Sequence, residues 1–474
     1  MRRGSLVLLA LIVIAGALCA CSGTHLQKAQ LSGATAKSVE REIHVERLLE
    51  GSQAQRLGIA PGDVIVEYDG KRVETPAELR EAIAAASEPE IKLVIRRGEK
   101  LIDMTVQPGK LGVYLKVIAR VHRMPDAKVI EGIEPLSWES GELISFVACV
   151  RRVLAHYGEQ YDYKYLMGIS GTAFRIQFFD NWCPSSPDPG CGFDCAEVLL
   201  RTLGRGSENY FMKTAFQNMP NALDEAQMRQ KTIESIDKGL PVVAIDIVNV
   251  PEWGVITGYQ NNKQDFFCRS YFDYGMTDYN IVEKTPWIAM TIGEKGESLS
   301  GEAAVRQSLA VAYKVGTTET FDGYFAGPAA LKAWIAAIEN EASFATISAK
   351  TPAEDDRCST NAWIYETFEA NRAVASDFLK TYADVFGKMR DATLQLAGIY
   401  DKQVELLKSG EENVVLPFAG DMRPWTQELR SKEAATLKEV LTLENEAIEL
   451  IGTIMEVCEI PPYEDEGGRM KAEG

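Results

Sequence analysis

The distribution of apolar positions changes character several times along the chain. Leu6 to Leu18 is a continuous apolar run, preceded by Arg2 and Arg3 and followed by a polar stretch to about residue 38. Short strand-like segments follow. His44 to Leu49 is one, and Gly51-Ser52 then turns into a short helix expected to point Ala54 and Leu57 inward. Pro61-Gly62-Asp63 turns the chain before a strand from Val64 to Tyr68, and Asp69-Gly70 is a two-residue hairpin turn of the primed type. Thr75-Pro76-Ala77-Glu78 predicts a helix start, with Thr75 as cap, Pro76 at the first position and Glu78 completing a capping box. Leu79, Ala82 and Ile83 then share one helical face, and "IKLVIRR" and "LIDMTVQ" are strands separated by Gly98-Glu99.

From residue 146 the period lengthens. Phe146, Val150, Val153 and Leu154 recur at helical spacing, whereas Val242 to Ile247, Trp253 to Gly258 and Phe266 to Tyr271 are buried-strand runs with tight turns between them. Residues 361–410 and 426–457 contain few Gly or Pro. In the second of these, Leu437, Val440, Leu441, Leu450, Ile451 and Ile454 step by three and four, which predicts the face of a helical bundle. The 474 residues allow two or three domains.

A positive start, an apolar run shorter than the roughly 20 residues of a membrane span, and small residues after it describe a secretory signal. Leu18-Cys19-Ala20-Cys21 resembles a bacterial lipobox, which implies removal of residues 1–20, lipidation of Cys21 and a linker over residues 21–38. Ser22 rather than Asp follows, which by the sorting pattern of such lipoproteins implies the outer membrane. The alternative is an ordinary signal peptide with a chance cysteine. The expected location is the periplasmic side of the cell envelope, with membrane contact through the lipid. A net charge of −18 becomes −20 once Arg2 and Arg3 leave, and so acidic a chain argues against nucleic acid as a partner.

The order of elements over about residues 40–115, and "GSQAQRLGIAPGDVIVEYDGKRV" in particular, closely resembles a bacterial PDZ domain, here bounded at 39–116. The resemblance implies that an extended peptide or protein C-terminus adds a strand beside the capped helix, against Leu79 and Ile83. The loop that cradles the ligand carboxylate in that family is not found ahead of His44. "KLGV", Lys110 to Val113, lies after the last strand instead. In a circularly permuted domain the amides of Leu111, Gly112 and Val113 form that cradle; the other reading is an exit strand beside a degenerate groove.

After a connector (117–141), residues 142–330 resemble bacteriocin-processing cysteine peptidases and the N-terminal domain of butirosin biosynthesis protein H, an acyltransferase on a papain-like fold. "ACVRRVLAHYGEQYDYKYLMGISGTAFR" and "GLPVVAIDIVNVPEWGVITGYQNNKQDFFCRSYF" carry the resemblance, which continues weakly into a helical region over 331–458. The implied fold is α+β: a small PDZ β-barrel-like domain, a papain-like α+β domain and a C-terminal helical bundle. Ser145 occupies the position of the family's nucleophilic cysteine, Glu252 that of its histidine, and no Asp stands near Arg269 to Tyr271 where a third residue is expected.

A serine hydroxyl needs a positioned base, and a carboxylate of ordinary pKa, about 4.3, is a weak one unless burial raises it. The chain has four histidines. His25 and His44 precede the block, and His156 is about 16 Å along the same helix from Ser145. Only His122 in the connector is left as a candidate base. Cys149, on the apolar helical face, reads as a core residue rather than a second nucleophile.

Seven cysteines follow Cys21. Cys183, Cys191 and Cys195 lie in the Pro-rich insert "WCPSSPDPGCGFDCAEVLLRTLG". An oxidising compartment favours a disulfide of Cys183 with Cys191 or Cys195; free thiols and a three-thiolate metal site are the other readings. No metal or cofactor is expected. Residues 459–474 read as a disordered acidic tail. Two functions of different class follow from these readings. One is a periplasmic peptide- or protein-binding lipoprotein, whose PDZ module is joined to a non-proteolytic papain-like domain. The other is an amide or thioester hydrolase or acyltransferase using Ser145 or a thiol with Glu252.

Overall fold

Alternation at the start of the described chain becomes β1, Val39–Leu48. The computed structural model describes residues 39–464 except 218, 220, 249, 274, 275, 277, 345–354, 420 and 422. The expected signal, Cys21, the linker and residues 465–474 therefore lie outside the described residues. The chain divides into two units, residues 39–140 with 233–286, and residues 141–232 with 287–464. The block expected at 142–330 is thus shared between them.

In the first unit β1 is followed by α1 (Gln53–Arg56), β2 (Val64–Tyr68), β3 (Lys71–Arg72), α2 (Pro76–Ala85), β4 (Ile91–Arg97), β5 (Lys100–Val106) and β6 (Val113–Val121). The sheet order is β5-β4-β2-β1-β6, with β3 paired to β2. Asp69 and Gly70 both have positive φ, 52° and 70°, as the primed hairpin turn requires. Thr75 caps α2 by accepting from Glu78 N at 3.2 Å, while the Glu78 carboxylate reaches Glu74 N at 2.7 Å, one residue short of the usual capping-box partner. Ile43, Val45, Ala54, Ile65, Leu79, Leu93 and Leu111 form the core between sheet and helices. Leu57, expected inside, is 37% exposed, because α1 is a single turn that stops at Arg56.

The sequence reading ended this domain at 116, but β6 runs on to Val121 and pairs with β1 from Leu48↔Val113 to Val39↔Val121. The connector also contributes a strand, β7 (Lys128–Val129). It pairs with β9 (Trp253–Gln260), which lies between β8 (Val242–Ile245) and β10 (Asp265–Arg269), with β11 (Asn280–Val282) outermost. Every residue of β8 to β11 is buried, including the polar Thr257, Gln260, Asp265, Arg269 and Asn280 among their apolar neighbours.

The second unit starts with α3 (Ser145–His156), which buries Phe146, Cys149, Val150, Val153 and Leu154. α4 (Tyr163–Ile169) and α5 (Cys195–Thr202) are capped by Asp162 and Asp194. Strand Arg205–Phe211 pairs with Ile288–Lys295, and Tyr324–Ala326 with Gln177–Phe178. The helical region comprises α6 (Gly301–Thr317), α7 (Gly327–Glu339), α8 (Asp356–Tyr382), α9 (Arg390–Gly410) and α10 (Gln427–Val457). α8 packs on α9, α9 on α10, and α10 on α7. Leu437, Val440, Ile451 and Ile454 are buried, as the helical period predicted, while Leu441 and Leu450 of the same predicted face are half-buried.

Polar groups pin this bundle. The fully buried Arg372 pairs with Glu444 at 2.8 Å and donates to Gln403 and Ala173 O. Trp334 Nε1 donates to Asn361, whose amide donates to Glu433 at 2.7 Å. Residues at the head of the expected tail also pack. Ile460 is buried, and the Tyr463 ring lies 5.9 Å from that of Phe193.

Candidate functional site

Among the described residues β6 is the last strand of its sheet, paired on one side only. Which way its peptide groups point follows from β1. Val45 donates to Asp63 O and accepts from Gly62 N, both at 2.8 Å, so its backbone faces β2. Leu115 stands opposite Val45, Tyr114 opposite Arg47 and Val113 opposite Leu48. Backbone direction alternates along an antiparallel pair, so Leu115 and Val113 turn N–H and C=O to the open edge while Tyr114 bonds inward.

The chain enters β6 through Leu111 and Gly112. Their carbonyls accept from Ala54 N and Leu49 N, each at 2.9 Å. Among the described residues neither of their N–H groups has a protein acceptor. Gly112 has φ of +76°, in the left-handed region that favours glycine. Leu79 on α2 and Leu111 are buried, and Ile83, Val113 and Leu115 are half-buried against the same core. Apolar side chains of α2 and of β6 with its entry thus share one core, and that entry carries two amides without a protein acceptor among the described residues. Chemically this region offers main-chain hydrogen bonds to an extended chain, an apolar seat for a side chain and N–H donors for an anionic end. The sequence reading named Leu111, Gly112, Val113, Leu79 and Ile83 and missed Leu115. The alternation Val113-Leu115-Val117 held that signal, but the sequence leaves the segment open between a cradle strand and an exit, with the connector starting at residue 117.

The positions tied to catalysis are distributed differently. Ser145 is the first residue of α3 in the second unit, 4% exposed. Glu252 lies in the first unit, just before β9, where its carboxylate accepts from Trp253 N at 3.2 Å and its carbonyl from Asp246 N at 3.3 Å. His122, the remaining candidate base, is exposed and 3.9 Å from Glu40. His44 pairs with Glu42 at 3.2 Å, and His156 ends α3 beside Tyr157. Arg269 donates to Ile133 O and Asp278 O and so ties the connector to the sheet. Cys149 is fully buried within α3.

All seven described cysteines are free thiols, so the expected bond of Cys183 with Cys191 or Cys195 is not made in this structure. Cys195 begins α5, whose cap Asp194 is raised to about 7 by burial. Arg175, unmarked in the sequence reading, holds the insert by donating to Ser186 O at 3.0 Å and Cys191 O at 3.3 Å.

The description of the PDZ domain family matches residues 44–97. Three curated proteins are similar over short stretches. The "Putative serine protease HhoA" of Synechocystis sp. is 39% identical over 70 residues, 15% of this chain and 18% of that protein. For HhoB of the same organism the figures are 38% over 61 residues, 12% and 14%. The "Putative zinc metalloprotease CPE1693" of Clostridium perfringens is 33% identical over 75 residues, 15% and 22%. The chain therefore spans no more than 22% of the length of these relatives. β6 lies beyond the matched stretch. Residues 44–97 are a PDZ domain.

Proposed function

We propose that this chain is an envelope lipoprotein whose PDZ domain captures an extended peptide or protein C-terminus along β6. The observation that carries the reading is that, among the described residues, the edge at Val113 and Leu115 is open and the amides of Leu111 and Gly112 at its head have no acceptor. The occupant lies antiparallel to β6, seats an apolar final side chain against Leu79 and Ile83, and directs its carboxylate at the two amides. Fluorescence anisotropy with a library of C-terminal peptides tests this. Members with an apolar last residue should bind and their C-terminal amides should not; failure of the whole library removes the recognition role.

The papain-like block is read as a second, non-proteolytic binding element. Supporting this are Ser145 and Glu252 in place of the nucleophilic cysteine and histidine, and His44 and His122 each beside a glutamate. The hydrolase reading, favoured by the location of Ser145 at the start of α3, is separated by a fluorophosphonate probe. Labelling lost in Ser145→Ala would establish it instead. The anchor rests on Cys21 after the apolar run. Radiolabelled palmitate should enter the outer-membrane form of the protein and be absent from Cys21→Ser.

A further inference from the structure

Three cysteines crowd the insert between Cys183 and Cys195, and their packing separates them. Cys183 and Cys191 share one small buried cluster with Tyr324, whereas Cys195 packs with Phe193, Val198, Val311 and Ala326. Cys183 Sγ lies 3.3 Å from the Tyr324 hydroxyl, and Cys191 packs in the same buried cluster around Tyr324. The two cysteines are thus near neighbours around one ring, and Cys195 belongs to a different cluster.

The backbone between them is already curled by successive turns. Ser186 N donates to Cys183 O at 3.1 Å, Asp188 N to Ser185 O at 2.9 Å, and Cys191 N to Asp188 O at 3.1 Å. Arg175 Nη2 then ties the middle of this loop, at Ser186, to its end, at Cys191. The chain reversal that a short cross-link needs is therefore present in the reduced loop.

We propose that Cys183 and Cys191 are an oxidisable pair that closes this loop as a disulfide, with Cys195 left as a thiol. The inference is independent of the peptide-binding reading. The oxidant is a small-molecule disulfide, with glutathione disulfide as the probe. One cysteine thiolate attacks it, forming a mixed disulfide and releasing one glutathione. The second cysteine then attacks the protein-side sulfur and releases the other. Two S–H bonds are lost and one S–S bond forms, while two electrons and two protons reduce the glutathione disulfide to two thiols. Burial pushes the Cys191 thiol well above its ordinary range, so thiolate is scarce in the folded loop and exchange belongs to the folding chain.

Cleavage ahead of Asp180, Asp188 and Asp194 puts each cysteine on its own peptide. The full chain is refolded in glutathione disulfide, denatured with an alkylating agent and cleaved in this way. The peptide beginning at Asp180 should be joined to that beginning at Asp188, two hydrogens lighter than their sum, with the Asp194 peptide alkylated. Cys195→Ser should keep the joined product and Cys191→Ser should lose it. Participation of the Asp194 peptide, or alkylation of all three cysteines, overturns the assignment. The same digest of protein isolated without refolding from an oxidising compartment gives a second reading that does not depend on refolding yield.

Discussion

Gly112 and Ser52 meet so closely that a Cβ built on Gly112 would lie 2.3 Å from the Cβ of Ser52. The contact fixes the turn through Leu111 and Gly112 that leads into β6. Gly112→Ala meets two obstacles, the left-handed φ, worth about 1–2 kcal/mol, and a clash that the segment at Ser52 or at Gly112 must move to relieve. The variant should lower the urea midpoint of the unit and weaken peptide binding. Adding Ser52→Gly should recover part of both losses, and a double-mutant cycle measures the coupling.

Leu115→Pro separates binding from folding. A proline on an edge strand is tolerated where the lost N–H faces away from its neighbour, and the Leu115 N–H faces the open edge. Peptide affinity should fall at least tenfold, about 1.4 kcal/mol, in anisotropy titrations, while pairing of β6 with β1 persists in the circular dichroism spectrum. Tyr114→Pro, at a residue that bonds inward to β1, should unfold the domain edge as well.

Arg372 and Glu444 are both buried, 0% and 3% exposed at the side chain, and Gln403 bonds to each. Glu444→Ala leaves a guanidinium without its counter-charge inside the bundle. Loss of about 3–5 kcal/mol is expected, read as a fall in denaturant midpoint of the second unit. Replacing the pair together by apolar residues of similar volume should cost far less.

Glu433 supplies a pH dependence. Burial raises its carboxyl to about 7, against partial opposition from the hydrogen bonds of Asn361 and Trp425. Its folded pKa exceeds its unfolded value, so between about pH 4.5 and 7 the folded chain binds the extra proton. Stability therefore falls as pH rises through that window, by roughly 3 kcal/mol in all, and the penalty is fully present above it. Asp194 and Asp273, raised by burial to about 7 and about 6, act in the same direction. The measurable quantity is thus the difference between wild type and Glu433→Gln. The variant should show a shallower decline in urea midpoint between pH 5 and 8.

Much of the first domain could be read without coordinates. Asp69-Gly70, Thr75-Pro76 and the alternating strands are local signals, decided by backbone preferences within a few residues. The helical period of Leu437, Val440, Ile451 and Ile454 likewise marked the buried face of α10 in advance. Leu57 did not obey its pattern, because a one-turn helix has no second turn to carry a stripe inward.

Sequence by itself established the PDZ elements, their turns and caps, the helical face of the C-terminal region and the acidic, cysteine-bearing character of the chain. These depend on spacing and residue type along a short stretch. Tertiary structure decided that the segment after Gly112 is an edge strand rather than an exit, that Lys128 and Val129 join β9, and that Cys183 keeps company with Cys191 and not Cys195. Each of these depends on which distant segment supplies the neighbour: β1 for β6, β9 for the connector and Tyr324 for the two sulfurs. Local periodicity carries no record of such partners.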